Sequence, residues 1–71
     1  MNTPTATFHD IWAGPVPAHV VAFKTTRKGE RVVRYRWQRV DGNHCCSVVY
    51  LTPAAAAAAK RRDARFSNVV A

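Results

Sequence analysis

The chain has 71 residues and sets 11 Lys and Arg against 4 Asp and Glu, for a formal charge of +7. With 48% hydrophobic residues, two Trp, two Tyr and three Phe, it is too apolar for a disordered tail. Its length argues for one small domain and against a fold built round a deep cleft, and no apolar run approaches the roughly 20 residues of a membrane span.

Residues 1–7 are small and polar and read as a frayed terminus. No basic segment leads into an apolar core there, so no signal peptide and a cytoplasmic setting are expected. Phe8, Ile11 and Trp12 stand at i, i+3 and i+4, which one helical turn capped by Thr5 or Thr7 would bring to one side. A loop whose aromatics pin the N-terminus to the core fits the same residues and is preferred. Pro15 and Pro17 stop any helix and favour extended backbone. Residues 8–17 therefore read as an irregular segment.

Three strands are expected over 18–51. Residues 18–26 are rich in β-branched side chains, with His19, Val21, Phe23 and Thr25 on one face. Arg27-Lys28-Gly29-Glu30 has the composition of a hairpin turn. In residues 31–40, alternation sends Val33, Tyr35 and Trp37 one way and Arg34, Arg36 and Gln38 the other. Asp41-Gly42-Asn43 is a turn signal, and 44–51 reads as the third strand.

Thr52 and Pro53 form a helix start, N-cap followed by N1. Six alanines follow, and the cations from Lys60 onward suit the negative end of the helix dipole. The helix is expected over 53–66, with Ala55, Ala59, Arg62 and Phe66 on one stripe. The fold class is then α+β: a small three-stranded antiparallel meander followed by one C-terminal helix packed on one face, as a single domain.

The charge is clustered. Lys24, Arg27, Lys28, Arg31, Arg34, Arg36 and Arg39 lie on the first hairpin against Glu30, while Lys60, Arg61, Arg62 and Arg65 end the helix against Asp63. Arg grips phosphate bidentately, and a strand face carrying Arg34, Arg36 and Gln38 suits base edges in a groove. Arg27 and Lys28 in the turn suit phosphates. The candidate contact residues are thus Lys24, Arg27, Lys28, Arg31, Arg34, Arg36, Gln38, Arg61 and Arg65. Trp12, Tyr35 and Trp37 are candidate hot-spot aromatics.

Catalytic chemistry is not expected. The four carboxylates form no spaced acid–base pair, and the three glycines sit in turns rather than in a phosphate loop. Cys45 and Cys46 are adjacent, so they cannot close a useful disulfide loop, and their side chains would diverge on a strand. They read as structural thiols, with no metal site and no cofactor expected. Exposed edge strands would allow a homodimer.

Residues 33–64, with an Arg/aromatic strand, a turn, a strand and a Thr-capped alanine helix, resemble in layout the sheet-reading DNA-binding modules of integrase arm-type and plant AP2-type domains. In general character the chain also resembles small accessory proteins of phages and mobile elements, anti-CRISPR proteins among them. The leading expectation is a small basic viral-type protein that contacts DNA or RNA through an Arg-rich sheet face. The alternatives are an inhibitor that docks on a host nucleoprotein complex and a ribosome-associated structural protein.

Overall fold

The computed structural model describes residues 3–43 and 48–70. Its elements are β1 (Thr5–Asp10), β2 (Gly14–Arg27), β3 (Glu30–Arg39), α1 (Pro53–Arg61) and β4 (Phe66–Val70). The strands form an antiparallel sheet in the order β3-β2-β1-β4. The α+β class and the antiparallel sheet with a helix hold, but the sheet has four strands where three were expected.

Two strands, β1 and β4, lie where none was expected. β1 occupies residues assigned to a frayed terminus and an irregular segment, because Thr5, Thr7 and His9 alternate with Ala6 and Phe8 as a half-buried strand does. Pro15 and Pro17 fall inside β2. Val16 and Ala18 pair with β1, whereas the β2–β3 ladder begins only at Ala18 and Arg39. The proline nitrogens point toward the β3 side, before that ladder starts, so no ladder donor is lost there. Pro17 supplies its carbonyl to Val40 N–H at 3.0 Å.

The helix starts as expected: the Thr52 hydroxyl accepts from Ala55 N–H at 3.1 Å. It ends at Arg61, not at residue 66. Asp63 closes it, giving its N–H to the Lys60 carbonyl and accepting from Phe66 N–H on its own carbonyl. Phe66 does anchor the far end, but as the first residue of β4. The buried helix residues are Ala56, Ala57 and Lys60 rather than Ala55, Ala59 and Arg62.

The expected third strand over 44–51 is not a strand in its described part. Residues 44–47, with His44, Cys45 and Cys46, lie outside the described residues. Among residues 48–51 only Tyr50 pairs, through a bridge to Tyr35. Arg39 N–H meets the Asn43 carbonyl across the Asp41–Gly42 turn.

The register assigns every side chain to a face. Ala6, Phe8, Ala18, Val20, Trp37 and Phe66 share the face that α1 covers, and the core lies there. The Phe66 ring stacks at 5.1 Å from Phe8 and 5.5 Å from Trp37. Trp37 is fully enclosed, and its indole N–H donates to the Ala56 carbonyl at 3.0 Å. Burying a large aromatic removes about 150–250 Å² from water, on the order of 4–6 kcal/mol before entropy. Three aromatics and a row of alanines thus hold helix to sheet. A nine-residue helix is about 13 Å long, close to the roughly 14 Å width of four strands. It crosses from the β3 edge, where Tyr50 is bridged, to β4.

Candidate nucleic-acid interface

β2 and β3 run past the rest of the sheet. The β1 pairing on β2 stops at His19, apart from a Pro4 carbonyl that accepts from Val20 N–H. Among the described residues, nothing pairs with the β1-facing side of β2 beyond Val20 or with the outer side of β3 between Glu30 and Arg34. From Phe23 and Arg34 to Arg27 and Glu30, the hairpin is therefore a two-stranded arm of five pairs, about 17 Å long at the strand rise. The molecule is correspondingly elongated, 40 × 22 × 20 Å.

The tip is a two-residue turn with Lys28 at φ 52° and Gly29 at φ 81°. Positive φ at both central residues is the type I′ geometry that matches the twist of a hairpin. Gly29 adopts it freely. Lys28 does not: the left-handed conformation costs a residue with a Cβ about 1–2 kcal/mol, and Asn is the residue usually found there. This chain keeps a cation at the tip against that preference.

The register spreads the arm's cations over both faces. Lys24 and Arg31 lie on the face continuous with the helix-covered side, with Tyr35. Arg27, Arg34 and Arg36 lie on the open face with Val21, Phe23 and Val32, and Gln38 follows in the body of the sheet. The expected alternation of Arg34, Arg36 and Gln38 is thus the one found. The Arg36 guanidinium lies 4.8 Å over the Phe23 ring, a cation–π contact that packs it along the open face with its Nε buried. Arg34 Nη1 donates to the Val33 carbonyl at 2.9 Å, and Gln38 Nε2 to the Gly42 carbonyl at 3.4 Å.

The carboxylates are placed elsewhere. Arg39 bridges Asp10 and Asp41, each at 2.8 Å. Asp63 takes Lys60 at 3.3 Å and Arg65 at 2.9 Å. Each of these Asp groups sits below the usual carboxylate range. The backbone N–H groups of Ala13 and Trp12 lower Asp10, helped by Arg39. The Asn43 N–H lowers Asp41, again with Arg39. The Arg65 side chain and N–H, with Lys60, lower Asp63 strongly. All three stay ionised at neutral pH, so Arg39, Lys60 and Arg65 are neutralised by Asp10, Asp41 and Asp63. The formal +7 then falls on three places: five arm cations against Glu30, a net four, Arg36 at the base of the arm, and the exposed Arg61 and Arg62 at the end of α1.

Three candidate residues change standing. Trp37 is core, because its ring is the one large enough to fill the space under α1, and it cannot be a surface hot spot. Arg65 is held by Asp63, two residues earlier, where an Asp accepts the Arg65 N–H at 2.9 Å; Arg62 was not among the candidates but stands exposed beside Arg61. Tyr35 is half-buried and bonded to Tyr50. Trp12 is 93% exposed and Ile11 89%, at the β1–β2 turn. They neither form a helical turn with Phe8 nor pin the N-terminus to the core. The spacing of Asp10 to Trp12 and Ala13 was the available signal: its carboxylate accepts both N–H groups, at 2.7 and 2.9 Å, as Asp does at a turn.

Among the described residues there is no group of three or more His, Cys, Asp or Glu placed to hold a metal ion, and no helix long and apolar enough to cross a membrane. Comparison with protein-family models, with curated proteins and with solved structures found no match.

Proposed function

We propose that this protein is a small nucleic-acid-binding module whose working part is the β2–β3 arm. The observation that carries the reading is the sorting of charge: three Asp neutralise Arg39, Lys60 and Arg65 in the body, and the arm keeps five cations against one carboxylate, with Arg36 at its base. Cations left without a carboxylate partner on a protruding element suit a polyanion. Lys28 in a strained turn position supports the same reading, since strain retained at a surface tip often marks a functional residue. Arg27, Lys28 and Arg31 would take phosphates, and Arg34, Arg36 and Gln38 line the adjoining open face.

The test is fluorescence anisotropy with a labelled 20-nucleotide probe, single-stranded and duplex, at about 50 mM salt. The triple variant Arg27→Ala, Lys28→Asn, Arg31→Ala should lose at least tenfold in affinity. Absence of binding to every probe by the unaltered protein sinks the reading.

One observation favours docking on a protein of a host nucleoprotein complex instead: the exposed Ile11–Trp12 tip, which has the composition of an interface anchor. Under that reading a partner survives nuclease treatment in affinity capture and is lost on Trp12→Ser. Under the first, nuclease removes every partner.

A further inference from the structure

We infer that the arm enters the major groove of B-form duplex DNA. This rests on reading the arm as a nucleic-acid interface and adds which nucleic acid, and how. The first support is that charge is two-sided. An element that lies flat on a phosphate surface needs cations on one face only. Here Lys24 and Arg31 stand on one face, Arg27, Arg34 and Arg36 on the other, and Lys28 at the tip. That distribution suits a rod with phosphate walls on both sides.

Dimensions are the second support. Two strands lie about 4.8 Å apart, and side chains bring a ribbon to roughly 10 Å across. The major groove of B-DNA is about 12 Å wide and 8.5 Å deep and admits a two-stranded ribbon. The arm, at about 17 Å, is long enough to reach the floor without the body of the protein striking the backbone. The B-DNA minor groove, about 6 Å wide, does not admit it, and the major groove of A-form RNA is too deep and narrow for side chains to read.

The experiment uses the full chain and three 20-mers of one sequence: duplex DNA, duplex RNA and single-stranded DNA. Duplex DNA should bind at least tenfold tighter than the other two. Netropsin, which fills the minor groove, should leave binding intact, and guanine N7 methylation, which blocks the major-groove edge, should weaken it at least fivefold. With five to six phosphates contacted, affinity should fall roughly 10³-fold between 50 and 200 mM salt. The pairs Lys24→Ala/Arg31→Ala and Arg27→Ala/Arg34→Ala should each weaken binding about tenfold or more, with circular dichroism unchanged. Equal binding of duplex RNA or single strands, displacement by netropsin, or dependence on one face alone overturns the inference while leaving nucleic-acid binding standing. No binding to any probe removes the parent reading instead.

Discussion

Replacing Lys28 with Asn separates what the hairpin tip does for the fold from what it does for binding. Lys28 sits at φ 52° beside Gly29 at φ 81°. A residue with an ordinary side chain gives up about 1–2 kcal/mol in that conformation. Asn, which adopts it far more readily, should recover roughly 1 kcal/mol. For a domain of this size, 1 kcal/mol moves the midpoint by about 4–8 °C, so Lys28→Asn should raise Tm by that amount in a thermal melt. The same change removes one cation. If Lys28 meets one phosphate, the slope of log affinity against log salt should become less steep by about 0.9. Between 50 and 200 mM salt, the ratio of the unaltered protein's affinity to the variant's should then narrow about 3.5-fold. A Tm that stays put or falls refutes the argument from turn geometry. A raised Tm with an unchanged salt slope refutes the phosphate contact at the tip and leaves the turn argument intact.

Other outcomes follow from the body of the fold. Trp37→Phe removes the indole donor to Ala56 and leaves space beneath α1, so it should cost about 2 kcal/mol and about 10 °C in Tm, read by denaturant unfolding. Asp63 has a folded pKa below its unfolded one, so its contribution is complete above about pH 4 and fades as pH falls through the lowered value. Melts from pH 7 to pH 2 should show Tm declining on the acid side, and Asp63→Asn should lower Tm at pH 7 and flatten that decline, because Lys60 is left enclosed without its carboxylate. Ile11→Ser with Trp12→Ser should shift stability by no more than about 0.5 kcal/mol, as for other exposed positions. A larger loss would mean that the turn packs on the body.

What could be read from the residues was the local part of this architecture. Thr52-Pro53 and the alanines announce a helix, and Arg27 to Glu30 a hairpin, because caps and turns are decided within four residues. The alternation of 31–38 assigned Trp37 and Arg36 to opposite faces, as found. Exposure was harder: alternation puts Trp37 on an apolar face, but only the tertiary packing of α1 tells a core ring from a hot spot. The strands at either end were illegible for a related reason. Thr5 to Asp10 and Phe66 to Val70 are short and only weakly alternating, and β1 is stabilised by partners as distant as Phe66. Pro15 and Pro17 argued against a strand until the register put their nitrogens where no ladder donor is needed. The charge arithmetic located both basic clusters, yet only the ion pairs reveal that Arg39, Lys60 and Arg65 are neutralised within the body.

The order of strands also governs how the fold is reached. Phe8, Trp37 and Phe66 meet although each step between them along the chain is 29 residues. β2 and β3 close locally around a two-residue turn, an event of microseconds for an isolated hairpin. Contacts between distant segments carry a loop-closure penalty and slow the rate-limiting step. The arm is therefore positioned to assemble early and by itself, while the aromatic trio and the β1–β4 seam must wait for the two ends of the chain to find each other. Local opening of that seam would leave the hairpin paired, so amide exchange in the arm and exchange in the body should report two separate protection classes.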